Sequence, residues 1–376
     1  IEVCLVGSEM CIRDSNYISV QAEDELAAVG MAIGANWNGA RGFTATSGPG
    51  ISLMSEFLGL AYFAEVPLVI FNIQRGGPST GMPTRTQQSD ILSCAYASHG
   101  DTKHVLLFPE DPQECFEFSA EAFNLAERLQ TPVFVISDLD IGMNDWVTDK
   151  FEWDDEQKYD RGKVLKAEDL DKMDNFGRYL DVDDDGICYR TYPGTHPEKG
   201  AFFTRGTSHD EYARYTENGD INEQTLTRLV KKFRTASELV PDPIINLSEK
   251  QGSSGVIFYG STSAAMYEAK DILNENNIEV DLMRIRSFPF NLDVWEFIEN
   301  HDLIYVIEQN RDSQMRTLIM AEGGISAEKL RSLVWFNGDP IQAKFIAKKI
   351  YERESQQALI TCCLLYTSPS PRDTPQ

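Results

Sequence analysis

The sequence predicts an α/β protein of two doubly wound domains with parallel sheets. Three observations carry this. The runs VPLVIFNI (66–73) and PVFVIS (132–137) are continuously apolar and bounded by turn residues, as strands buried on both faces are. Segments with apolar residues every three or four positions alternate with such runs. After a long polar stretch the same alternation restarts at Gly255.

The elements follow in order. Leu26, Val29, Ile33 and Trp37 recur at helical intervals, which predicts a helix over 24–37. A short strand over 42–46 leads into TSGPG (46–50), a turn before an apolar helix at 51–64. The buried strand 66–73 comes next, then a strand at 105–108, a helix with an acidic start at 111–128 and the strand 132–137. These elements make a first domain over 16–148. Charges dominate 149–190, which reads as a solvated connecting segment. The stretch 191–249 is polar and irregular, with a helix near 222–237. The second domain, 250–357, has strands at 255–260, 280–285 and 302–310 and helices at 263–274 and 294–300. Segments at 316–322, 333–336 and 341–353 complete it.

The two ends fit no neighbouring periodicity. VCLVGSEMCIRDS (3–15) and CLLYTSPSPRDTPQ (363–376) resemble translated sequencing-adapter read-through, so 1–15 and 358–376 are set apart as non-native. Cys94, Cys115 and Cys188 then remain, with no C-x-x-C. That spacing argues against a disulfide framework or an iron–sulfur site and suits a reducing cytoplasm. The chain of 376 residues carries a net charge of −25, which repels phosphate backbones and disfavours nucleic-acid partners. No apolar run approaches the ~20 residues of a membrane span.

In open α/β sheets ligands sit at the carboxyl ends of strands. Three segments fall there: TSGPG, QRGGPSTGMPTRTQQSD (74–90) and EQNRDSQ (308–314). In the second, Arg75 either forks onto a ligand carboxylate or pairs with one of the chain's many acids, and Arg85 poses the same choice. TSGPG opens a helix with backbone N–H groups able to cradle an anion, which makes Ser47 and Gly48 candidates. Neither a G-x-G-x-x-G nor a G-x-x-x-x-G-K-[ST] fingerprint occurs. Glu23, Asp24 and Glu25 either compensate a helix dipole or supply one carboxylate for proton relay. His209 and Asp210 either face a pocket or form a surface turn. Asp181, Asp183, Asp185 and Gly186 open like a calcium loop, but Tyr192 stands where its bidentate Glu belongs, so that reading is rejected.

AEDELAAVGMAIGANWNGARGFTATSGPGISLMSEFLGLA (22–61), PLVIFNIQRGGPSTGMPTRTQQSD (67–90), RGTSHDEYARYTENG (205–219) and VIEQNRDSQMRTLI (306–319) together resemble the alpha subunits of 2-oxoglutarate:ferredoxin oxidoreductases. These are thiamine-diphosphate enzymes of the 2-oxoacid:acceptor oxidoreductase family. The resemblance implies a pyrimidine-binding-type first domain and a transketolase C-terminal-like second one. It implies oxidative decarboxylation of 2-oxoglutarate with coenzyme A to succinyl-CoA, CO2 and reduced ferredoxin. The alternatives are pyruvate or branched-chain substrates, or a non-catalytic module that keeps the fold. Glu25 falls on the family's activating glutamate, the partner of the aminopyrimidine N1′. Arg75 falls on the arginine that grips the substrate carboxylate, with Ser79, Thr80 and Arg85 near the distal one. The family's G-D-G magnesium motif and cluster cysteines are absent here, which implies a beta subunit that brings Mg2+ and [4Fe-4S]. A Tyr-Pro-Ile-Thr-Pro segment that should precede Glu25 coincides with the adapter-like start. A fused gamma domain further upstream is absent too.

Overall fold

The computed structural model describes residues 18–154, 156–249 and 254–366, with side chains to residue 355. The adapter-like start therefore lies outside the described residues. At the other end the last helix, Ala343–Tyr366, carries the backbone past 357.

The first sheet contains β1 (Phe43–Thr46), β2 (Leu68–Gln74), β4 (Pro132–Asp138), β3 (Val105–Leu107) and β8 (Ser287–Phe288), in that spatial order. β1, β2, β4 and β3 run parallel, and β2 and β4 pair from Leu68↔Pro132 to Gln74↔Asp138, so their carboxyl ends finish together. Every residue of β4 is buried, which explains why its sequence is a run rather than an alternation. The second sheet has the order β10 (Leu330–Val334), β9 (Ile304–Glu308), β6 (Ser254–Tyr259), β7 (Val280–Ile285) and β5 (Ile244–Asn246). All its pairs are parallel except β5 with β7.

Two parallel-sheet α/β units are thus as expected, with three differences. The helix expected from 51 begins at Gly48, because Pro49 in its first turn lacks only an N–H that has no helical acceptor there. β5 and β8 were not expected, being only three and two residues long. β8 belongs to the second half of the chain yet pairs antiparallel with β3, Leu106 opposite Phe288. One cluster of buried apolar side chains runs across both sheets, from Ile70 and Phe134 to Ile257, Met283 and Phe288.

The polar stretch is only partly solvated. Its start, near 149–159, is mostly exposed. Further on, Tyr179, Ile187 and Cys188 are buried, and so are Arg178, Arg190 and Lys232. Their charges are compensated. Glu65, fully buried after the Gly48–Phe63 helix, accepts from Arg228 at 2.5 Å and 3.0 Å and from Lys232 at 2.8 Å. Burial alone would raise the Glu65 carboxyl, but these cations hold it well below the usual range. In the acidic loop, Lys163 pairs with Asp183 and Asp185, and Lys231 with Asp181 and Asp184. Two lysines neutralise the carboxylates that a calcium loop would present to metal.

Candidate active site

The carboxyl ends of β1, β2, β4, β6 and β9 converge on the loop between β2 and the short Ile91–Ala95 helix. The loop folds on itself. Gly76 N–H donates to Arg85 O at 2.8 Å and Met82 N–H to Gly76 O at 2.7 Å. Gly81 makes that closure possible: its φ is +43°, and a Cβ there would sit 1.9 Å from Gly76 O. The loop is then fastened to the second unit. Gln88 N–H donates to Gln309 O at 2.8 Å, and its amide donates to Asp138 at 3.2 Å and Ser261 at 3.3 Å. Asn310 donates to Gln88 O at 2.9 Å.

Between this loop and the start of the Gly48–Phe63 helix lies a cavity of about 570 Å³. Gly48, Arg75, Ser79, Asp90, Asn310 and Arg311 are among its walls. Arg75 is half-buried, and its Nε has no hydrogen-bond partner. It lines the cavity near Asp90. Asp90 takes Asn72 Nδ2 at 3.1 Å. Burial pushes its carboxyl up, against the hydrogen bond from Asn72 and the charge of Arg75.

At the TSGPG turn the chain's own acid, Asp90, lies close to the helix start. A Cβ on Gly48 would lie 2.8 Å from Asp90 Oδ1, so glycine there lets the carboxyl approach the helix start. Ser47 is the N-cap residue but makes no side-chain capping bond.

The three adjacent acids separate by role. Asp24 caps the Glu25–Trp37 helix, accepting from Ala27 N–H at 2.8 Å. Glu23 is exposed and Glu25 half-buried. Glu25 packs beside the TSGPG turn: a Cβ on Gly50 would lie 2.8 Å from Glu25 Cγ and 1.9 Å from Thr46 Oγ1. Glu25 therefore lies against the turn of Ser47 and Gly48, and Gly48 continues into the cavity wall.

Other expected residues sit elsewhere. Arg85 is exposed, bonds Asp339 of the second unit at 2.9 Å and is not in the cavity lining, so it takes its ion-pair reading. Thr80 is exposed and also outside the lining, whereas Ser79 is in it. His209 is buried against Tyr179 and Phe63, and Asp210 closes a turn by accepting from Tyr212 and Arg214 N–H groups. Asp90 was not singled out in the sequence, although it ends the loop motif. A residue immediately before a short apolar helix reads as a cap, and no spacing shows that its side chain turns toward Gly48.

The Arg75 guanidinium and the Ser79 hydroxyl line the cavity, and Glu25 lies half-buried beside the adjoining turn. The profile described as pyruvate flavodoxin/ferredoxin oxidoreductase, thiamine-diphosphate-binding, matches residues 8–235. The 2-oxoglutarate synthase subunit KorA of Methanothermobacter thermautotrophicus is 35% identical over 304 residues, 78% of this chain and 76% of that one. Subunit alpha of 2-oxoacid:ferredoxin oxidoreductase 2 from Aeropyrum pernix is 33% identical over 351 residues, 91% of this chain and 53% of that one. The chain spans about half the length of such 2-oxoacid:ferredoxin oxidoreductase subunits. The solved 2-oxoglutarate:ferredoxin oxidoreductase of Magnetococcus marinus, with 2-oxoglutarate, coenzyme A and succinyl-CoA bound, superposes with a TM-score of 0.81 at 27% identity. It covers 93% of this chain and 58% of that one. By its residues, its fold and these matches, the chain belongs to the thiamine-diphosphate-binding family of pyruvate flavodoxin/ferredoxin oxidoreductases.

Proposed function

We propose that this chain serves as the alpha-type subunit of an oxidoreductase that converts 2-oxoglutarate and coenzyme A to succinyl-CoA and CO2, passing the electron pair to ferredoxin. The observation that carries the reading is Arg75, a half-buried guanidinium with an unpartnered Nε, opening on a cavity beside the turn that holds Glu25.

The turn fits a thiamine pyrimidine. Gly50 lets Thr46 Oγ1 and Glu25 Cγ pack directly against the turn, which fixes Glu25 beside it. Thiamine diphosphate, when bound, supplies the nucleophilic carbon that attacks the 2-oxo carbonyl and accepts the electrons left by CO2. In this chain Glu25 would face pyrimidine N1′ and share a proton with it. Arg75 takes the substrate's 1-carboxylate as a charge-assisted fork, with Ser79 beside it. The Thr46–Gly50 turn packs against Glu25 on one side and forms cavity wall at Gly48 and Pro49 on the other.

A beta subunit completes the reading. It would bring the diphosphate and magnesium site and the [4Fe-4S] cluster, because G-D-G is missing here and Cys94, Cys115 and Cys188 are widely spaced thiols. A cytoplasmic location suits those free thiols. The test is anaerobic. The full-length chain, co-expressed with its partner, should reduce a low-potential dye with 2-oxoglutarate, coenzyme A, thiamine diphosphate and Mg2+. Glu25→Gln should lower kcat by at least about 100-fold while the complex still assembles. Full activity in Glu25→Gln would remove the assignment of that residue. An assembled wild-type complex inert toward every 2-oxoacid would remove the reaction itself.

A further inference from the structure

We propose that Arg311 is the second cation of the substrate site, receiving the far carboxylate of a dicarboxylic 2-oxoacid and so setting the preference for diacids over monoacids. This rests on the reading of Arg75 as the grip on the near carboxylate.

A diacid spanning the cavity needs cations at two separated points. Arg75 and Arg311 are the cations among the described lining residues. They come from different sheets, Arg75 from the end of β2 and Arg311 from the end of β9. Arg85, the sequence candidate for this task, lies outside the lining, beside Asp339.

Arg311 springs from a fixed base. Asn310 before it is fully buried. Its Nδ2 donates to Gln88 O at 2.9 Å and to Glu308 at 2.8 Å, and its Oδ1 accepts from Gln314 N–H at 3.1 Å. Ser313 after it has φ +54°, which turns the chain into the Gln314–Gly323 helix. The guanidinium itself is available. It pairs with its neighbour Asp312 at 2.7 Å and 3.0 Å, and both side chains are more than half exposed, at 72% and 60%. An exposed pair of that kind is worth little, so a substrate carboxylate can take the fork while Asp312 turns to water. A monoacid leaves Arg311 with Asp312 and gains nothing from it.

The test compares wild type, Arg311→Gln, Arg311→Lys and Arg85→Leu in the assembled full-length enzyme, with 2-oxoglutarate and with 2-oxobutyrate. Arg311→Gln should lower the ratio of kcat/KM for diacid over monoacid by about 10-fold or more, mainly through KM for 2-oxoglutarate. Arg311→Lys should recover part of the ratio, and Arg85→Leu should leave it intact. The rise in Tm that 2-oxoglutarate gives the wild-type complex should shrink in Arg311→Gln. If wild type prefers the diacid and Arg311→Gln keeps that preference, Arg311 is not the second cation, while the proposed reaction stands. If Arg85→Leu loses the preference instead, the sequence assignment replaces this one. A wild type that turns over neither acid overturns both readings together.

Discussion

Gly50 shows how tightly single residues set this site. A methyl group there would collide with Thr46 Oγ1 and crowd Glu25 Cγ. Gly50→Ala should therefore cost about 1–3 kcal/mol of stability and, by displacing Glu25, a larger share of kcat. Thermal unfolding and steady-state rates on one preparation test this; a variant with normal kcat would show that Glu25 is not held by the turn. His104 offers a second residue-scale test. It is fully buried, its Nε2 lies 2.9 Å from Ala97 O and its Nδ1 has no partner. Burial pushes its pKa down to about 4 from the ordinary 6.5. The unfolded chain thus takes up a proton at a pH where the native state does not. The stability tied to this group is complete above about pH 6.5 and is lost as pH falls toward 4, by a few kcal/mol in all. His104→Phe should flatten that slope in chemical denaturation at pH 7 and pH 5. At this scale the sequence was half legible. The resemblance to a known family marked Glu25 and Arg75, whereas residue type and position alone left each with two readings. The sequence alone left the choice among three consecutive acids open, since a cap and a buried acid differ by one residue. It could not show that Arg85 meets Asp339, since that contact joins residues 254 positions apart.

At the scale of elements, the loop from Arg75 to Asp90 is held at its far end by Gln88. That side chain is buried, with Asp138, Ser261, Thr262 and Gln309 around it. Burial already pushes the Asp138 carboxyl up, and the bonds from Ser261 and Gln88 oppose that. Gln88→Leu keeps the volume and removes the amide, so it orphans several buried polar groups at once. The expected cost is about 2–4 kcal/mol, together with a raised KM as the loop loses its fixed end. An unchanged KM beside a lowered Tm would mean that the anchor serves stability alone. Glu65 anchors the polar stretch in the same way. Glu65→Gln leaves Arg228 and Lys232 buried without their acid and should cost about 3–5 kcal/mol, read as a shift in denaturant midpoint. Most helices and strands of both units were legible in the sequence within a few residues, because periodicity and apolar runs are local signals. The packed part of the polar stretch was not. Charged residues there read as solvated, and only three-dimensional pairing shows that they are compensated inside.

At the scale of the whole molecule, the boundary between the two units is not a boundary in the core. β8 leaves the second half of the chain to become the edge of the first sheet beside β3. Phe288 on β8 is fully buried, its ring 5.3 Å from that of Phe233 and 5.2 Å from that of Phe290. Arg284 on β7 reaches back to Glu114 of the first unit at 2.6 Å and 2.8 Å. The cavity is built the same way, with Arg75 and Arg311 brought together from the two sheets. Such a chain should lose both units together: an edge strand, a buried ion pair and the Gln88 network all disappear if either unit opens. The full-length protein should then show one calorimetric transition, with far-UV circular dichroism and tryptophan fluorescence coincident in denaturant. Phe288→Ala should lower that single midpoint, by about 3–5 kcal/mol in stability, without splitting it. A fragment ending near residue 248 should be open to limited proteolysis, since its first sheet lacks β8 and its loop lacks Gln309 and Asn310. Two resolved transitions, or a protease-resistant fragment, would show that the first unit folds alone. The active cavity would then be a junction between independent domains rather than part of one cooperative core.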